Sequence, residues 1–131
     1  TVTGLSKQQD WEVHMIEHQI GAYTDCAHGA GLAAISVPYY KYICKYGTDK
    51  FVRLAKNVWG VNTDGMSKDD AALAGIECLK EFIKSIELPL SLKELGATEE
   101  MLPLIAKSTI PGGGYKQMNA EDILTVLKES F

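Results

Sequence analysis

All three histidines of this 131-residue chain fall within fifteen residues, HMIEHQIGAYTDCAH, from His14 to His28. His14 and His18 are four apart, which on a helix puts them on one face with Cβ atoms about 5–6 Å apart. His28 follows a turn-like stretch, Thr24-Asp25-Cys26-Ala27, and opens a second apolar run. A neutral imidazole is the commonest metal ligand, and its second nitrogen usually donates to a carboxylate or a backbone carbonyl. Three of them at a helix–turn–helix corner point to one bound ion. Without a thiolate cluster, that ion is Fe2+ or Zn2+ rather than Ca2+ or Mg2+. The plainer reading makes each histidine a polar surface residue. Their crowding beside an almost uncharged Gly/Ala stretch favours a site.

The string HMIEH also fits H-x-x-E-H, the pattern of a class of zinc peptidases. There His14 and His18 would bind zinc, Glu17 would be the general base, and a distant carboxylate such as Glu94 would complete the site. Only three letters of that motif are fixed, and nothing else in the chain supports peptidase chemistry. Cys26, two residues before His28, is a further candidate ligand, whereas Cys44 and Cys78 sit at apolar helical positions and read as small core residues.

The elements that must hold these residues read as helices throughout. About Gln9 to Ala22 forms the first, with Asp10 as N-cap, Trp11, Met15 and Ile16 apolar, and Gly21 weakening the last turn. Residues 29–47 follow, with a first half so rich in Gly and Ala that it belongs in the centre of a bundle. Pro38 should kink or interrupt this helix, and Lys41, Lys45 and Gly47 suit its end. Residues 48–59 make a short amphipathic helix through Phe51, Val52, Leu54, Ala55, Val58 and Trp59. Ser67 caps the next, whose apolar positions are Leu73, Ile76, Leu79, Phe82, Ile83 and Ile86, stopping before Pro89. A short turn-like helix at SLKELG, a helix from Thr98 to about Ser108, a loop at TIPGGGYKQM and a last helix capped by Asn119 complete the chain. No segment alternates with the period of two that a strand requires. The fold class is all-α, a helical bundle in a single domain over residues 1–131.

Bulk properties narrow the function further. A hydrophobic fraction of 46% in 131 residues suffices for one ordinary core. A net charge of −4, scattered in mixed-sign pairs, gives no electrostatic reason to expect nucleic acid or an anionic membrane. No apolar stretch reaches the ~18–20 residues that span a bilayer, and the opening TVTGLSKQQD is polar, with no signal peptide visible. Three widely spaced cysteines without a CxxC pair suit a reducing cytoplasm.

The longer string WEVHMIEHQIGAYTDCAHGAGLAAISVPYYKY closely resembles the signature of the iron-containing (group III) alcohol dehydrogenases, in particular their butanol dehydrogenase branch. Two histidines four apart, a His-Gly pair, a Gly/Ala-rich helix and a proline follow in the family's order. The resemblance continues through FVRLAKNVWGV, AGIECLKEFIKSIELPLSLKELG and GGYKQMNAEDILTVLKESF, so it covers essentially the whole chain. It implies the C-terminal metal-binding helical domain of that family, a dehydroquinate synthase-like fold. It also implies two metal ligands, His14 and His28, with His18 as the catalytic group that relays the proton. An Asp and a His on an earlier helix supply the other ligands in that family. Spacing alone would have paired His14 with His18.

The implied reaction oxidises a primary alcohol such as butanol to its aldehyde, with hydride passing to NAD(P)+ and Fe2+ or Zn2+ as Lewis acid. The family's dinucleotide-binding domain, which holds most of the NAD(P)H, has no counterpart in this sequence. Gly112-Gly113-Gly114 follows a helix rather than a strand and reads as a flexible loop, not a phosphate cradle. The expectation is therefore an enzyme domain that is inactive in isolation and binds metal weakly. A homodimer is common in the family, although no residue pattern here encodes one.

Overall fold

In a computed structural model, the described residues are 10–110 and 115–131, and they contain six α-helices and no strand. They are α1 (Glu12–Thr24), α2 (His28–Ile43), α3 (Thr48–Asn57), α4 (Lys68–Ser85), α5 (Met101–Ser108) and α6 (Ala120–Ser130). Short 3-10 turns at Cys44–Tyr46 and Lys93–Leu95 link them. The all-α expectation holds. Gln9, expected to begin the first helix, and Gly112 to Gly114 lie outside the described residues.

α2 is the central element and packs on α1, α4 and α6. Its small residues explain why: Gly31, Ala33 and Ala34 are buried and let neighbouring backbones close in, while Ile35, Val37, Tyr39 and Ile43 fill the space further along. Pro38 does not interrupt it. The proline withholds one N–H, and the helix runs on to Ile43 because Tyr39 and Ile43, each 1% exposed, anchor its second half.

One helix departs in part from the expected face, and another ends earlier than expected. On α4 the buried side is Ala71, Ala72, Gly75, Ile76 and Ile83, whereas Leu73, Phe82 and Ile86 are exposed. Close approach of α3 sets this face, since a Cβ on Gly75 would lie 2.9 Å from the Ala55 Cβ. Small residues thus outrank large ones where two backbones meet. α3 ends at Asn57, so Val58 is exposed and Trp59 leaves the helix to lie 5.7 Å from the Phe82 ring. α5 begins at Met101, and Thr98 to Glu100 form the turn before it.

Two of the three caps follow the sequence reading; at α1 the N-cap position is Trp11 rather than Asp10. Ser67 Oγ accepts the Asp70 N–H at 3.1 Å, and Asn119 with Asp122 forms a reciprocal capping box on α6. Asp122 also takes the Tyr42 hydroxyl and the Lys116 ammonium, tying α6 to the end of α2. Burial works to raise the Asp122 carboxyl, but Lys116, Tyr42 and the Asn119 N–H outweigh it and hold it below the usual aspartate range. A carboxyl depressed on folding stabilises fully above its unfolded value and loses that contribution as pH falls through its folded one. Asn119→Ala should cost about 1 kcal/mol. Asp122→Asn should flatten the acid limb of stability, read as the urea midpoint against pH. An unchanged acid limb in Asp122→Asn would show that this cluster contributes nothing.

Candidate metal centre

The corner between α1 and α2 places His28 beside residues it follows by more than ten positions. α1 closes at Asp25, whose φ of 54° is left-handed and whose N–H reaches the Gly21 carbonyl at 2.8 Å. Ala27 is extended, and α2 starts at His28. From Thr24 to His28 the chain can span about 13–14 Å, against about 10 Å of helix rise from Glu17 to Thr24. The connection is therefore long enough to bring His28 back level with Glu17.

There the His28 Nδ1 meets a Glu17 carboxylate oxygen in a short hydrogen bond. The His28 ring stacks on His14 with centroids 5.5 Å apart and lies 5.8 Å from His18. Trp11 adds a tilted ring 5.4 Å from His14. His18 and His28 are exposed and His14 half-buried, so imidazoles line an open rim over a buried carboxylate.

The stripe of α1 that faces inward is Glu12, Ile16, Glu17 and Ile20; of the apolar residues read for this helix, Ile16 is buried and Met15 half-buried. Trp11 is 47% exposed, while Glu12 and Glu17 are nearly inaccessible. Glu12 accepts the Met118 N–H at 3.3 Å through Oε1, and its Oε2 has no hydrogen-bond partner among the described residues. Burial, offset by that N–H and reinforced by neighbouring Asp10, pushes the Glu12 carboxyl up. Asp10 acts just ahead of the helix: it accepts the Glu12 N–H at 3.1 Å and the Tyr39 hydroxyl at 2.9 Å.

A glycine makes room for Glu17. A Cβ on Gly31 would stand 2.8 Å from its Cγ and from its Oε1, and one on Gly21 would stand 3.4 Å from Oε1. Gly31 therefore leaves the space that Glu17 fills, whereas Gly21 stands at ordinary contact distance from it. Sequence reasoning missed Glu17 as the partner of His28 and met it only as a base in H-x-x-E-H.

The donor set suits a divalent transition metal. Donor atoms of Glu17, His18 and His28 lie within 4.8 Å of one another, the one such cluster among the described residues. His14 stands outside that tightest group but against the His28 ring. Cys26 is half-buried and outside the cluster, and Glu94 instead accepts the Leu90 N–H at 3.4 Å in the turn before α5.

The family model described as Fe-containing alcohol dehydrogenase family, C-terminal, matches residues 2–131. The chain belongs to that family. The chain is 34% identical over 135 residues to NADH-dependent butanol dehydrogenase A of Clostridium acetobutylicum, covering 97% of this chain and 34% of that protein. It is 28% identical over 123 residues to 1,3-propanediol dehydrogenase of Citrobacter freundii, covering 91% of this chain and 32% of that protein. The crystal structure of NADH-dependent butanol dehydrogenase A from Thermotoga maritima superposes with a TM-score of 0.85 at 30% identity, over 93% of this chain and 33% of that one. The domain thus spans about a third of the length of these relatives. Nothing in the site supports peptidase chemistry, since Glu17 is buried and engaged by His28.

The space left by Gly31 makes a direct prediction for the domain. Gly31→Ala should destabilise it by about 1–3 kcal/mol through overpacking against Glu17. Much of that loss should vanish when Glu17→Ala is added, giving a coupling of about 0.5–3 kcal/mol in urea unfolding. Strictly additive effects would show that Gly31 is small for some other neighbour.

Proposed function

We propose that this chain is the metal-binding part of an NAD(P)-dependent alcohol dehydrogenase that interconverts a primary alcohol, with butanol as the model substrate, and its aldehyde. The observation that carries this is the convergence of His14, His18 and His28 on one rim in a chain of this family. The relatives named butanol dehydrogenase and 1,3-propanediol dehydrogenase support small primary alcohols as the substrate class.

His14 and His28 would hold the metal, Fe2+ or Zn2+, with an Asp and a His from outside these residues completing its coordination. Such an ion, when bound, supplies Lewis acidity to the substrate oxygen. Oxidation of the alcohol removes a hydride from carbon, to the nicotinamide, and a proton from the hydroxyl. His18 is assigned that proton: it is exposed, next to His28 rather than stacked on it, and an imidazole both accepts and releases protons near neutral pH. Most of the cofactor's binding surface is assigned to a dinucleotide-binding domain outside these 131 residues, so the 131-residue chain alone should not turn over.

No helix among the described residues is long and apolar enough to cross a membrane. Cys26, Cys44 and Cys78 are all free thiols, which supports a reducing cytoplasm as the working compartment.

In the full-length protein, His14→Ala and His28→Ala should each lose both metal and activity. His18→Ala should keep its metal content while its turnover falls by about 10²–10⁴-fold. Metal analysis beside NADH-linked butanol assays separates these cases. Loss of metal in His18→Ala with retention in His28→Ala would sink the assignment, as would butanol oxidation by the 131-residue chain alone.

A further inference from the structure

A glutamate buried to 2% exposure is an expensive choice inside a helix whose other core-facing positions could be apolar. The expense is compounded by Gly31, because a glycine within a helix costs about 1 kcal/mol relative to alanine. A Cβ at Gly31 would stand 2.8 Å from Glu17 Cγ and Oε1, so the glycine is needed while Glu17 is there. Simple packing would be better served by a leucine and an alanine. The arrangement makes sense if the carboxylate has a task.

Its one hydrogen-bond partner among the described residues is the Nδ1 of His28. The His28 side chain is 53% exposed, so its burial alone does not fix how the ring turns or which nitrogen carries the proton. An acceptor on Nδ1 settles both questions. The proton stays on Nδ1, and Nε2 keeps its lone pair. That lone pair is what a metal requires of a neutral imidazole, and a carboxylate behind the ring also raises its donor strength.

We propose that Glu17 is the positioning residue of the metal centre, accepting the Nδ1–H of His28 and so presenting Nε2 to the ion. This rests on the reading of His28 as a ligand. Glu17 touches neither substrate nor cofactor in this scheme. Gly31 is the part of α2 that lets the carboxylate lie there. His28 is the first residue of α2, and its ring meets Glu17 across the corner.

The test has two readouts. The first is the imidazole tautomer of His28 in the metal-free 131-residue chain, read by long-range 1H–15N correlation at about pH 8.5, well above the ordinary histidine range. Native protein should show the Nδ1–H form. Glu17→Met, which removes the acceptor and keeps the bulk, should shift His28 toward the Nε2–H form usual in water. The second is Co2+ affinity of the full-length apoprotein, expected to fall about 10–100-fold in Glu17→Met. Glu17→Gln, which retains an acceptor oxygen, should fall less. Should Glu17→Met fold poorly, Gly31→Ala displaces the same carboxylate without deleting it and should move both readouts in the same direction.

An unchanged tautomer, or Co2+ affinity within twofold of native in Glu17→Met, would reduce Glu17 to a packing residue. Loss of Co2+ in Glu17→Gln as complete as in His28→Ala would make Glu17 itself a ligand and overturn the positioning role. If instead His28→Ala binds Co2+ as tightly as native while the tautomer still responds to Glu17→Met, the ligand assignment of His28 is what fails.

Discussion

The contact between the Glu17 carboxylate and the His28 imidazole is the constraint around which the first half of the domain is arranged. It joins α1 to the first residue of α2, and it requires features of the chain that otherwise look unrelated. The left-handed Asp25 closes α1 at a point from which three residues can return to the level of Glu17. Gly31 leaves the space that the glutamate side chain occupies. The rings of His14 and His18 then flank His28 because both lie on the α1 face that carries them past it. A buried carboxylate without a partner would cost several kcal/mol, so the imidazole is as necessary to Glu17 as the carboxylate is to the ring.

A second set of polar contacts fastens the far end of the chain to the same helices. Asp10 receives the Tyr39 hydroxyl and, at 3.4 Å, the Tyr115 N–H, while Glu12 receives the Met118 N–H. The Tyr115 ring lies where a side chain on Gly47 would be. Asp122 then locks the start of α6 against Tyr42 and Lys116. Residues 115–122 are thus tied to both helices of the metal corner, although more than a hundred positions separate Asp10 from Tyr115. The mixed composition of that segment gives way to hydrogen bonds rather than apolar burial, with Met118 as the side chain that enters the core.

What could be read from the residues alone depended on how local its cause was. Ser67 and Asn119 act on N–H groups three residues away, and both caps stand as expected. The burial of the Gly/Ala half of α2 followed from side-chain size, which is also a local property. The face of α4 was legible only in part, because the space at Gly75 is set by Ala55 on another helix. Large apolar residues at helical spacing suggested Leu73, Ile76, Leu79, Phe82, Ile83 and Ile86; Ile76 and Ile83 are buried, while Leu73, Phe82 and Ile86 are left exposed. The same limit applied at the metal corner. His14 and His18 could be paired by spacing, but the return of His28 depends on the length and left-handed start of a three-residue connection. Family resemblance supplied the pairing of His14 with His28, and no rule of spacing could have found the role of Glu17 behind them.

α1 places two glutamates on its buried side, and their surroundings push them to different solutions. Glu17 faces an imidazole nitrogen. Glu12 meets one backbone N–H with one oxygen and no hydrogen-bond partner among the described residues with the other, and its burial raises the carboxyl's proton affinity. A carboxyl raised on folding stabilises most below its unfolded value, and that contribution is lost as pH climbs through the folded one. Asp122 behaves in the opposite sense, since it is depressed. Buried Tyr39 and half-buried Tyr40, raised by burial and by Asp10, withdraw stability only on the alkaline side. As pH falls Asp122 loses its contribution while Glu12 gains; as pH rises the Glu12 contribution goes first and that of the tyrosines last. One glutamate of α1 is accommodated by favouring its neutral form and the other by pairing with an imidazole. That division lets a single helix bury two carboxyls while committing just one of them to the metal corner.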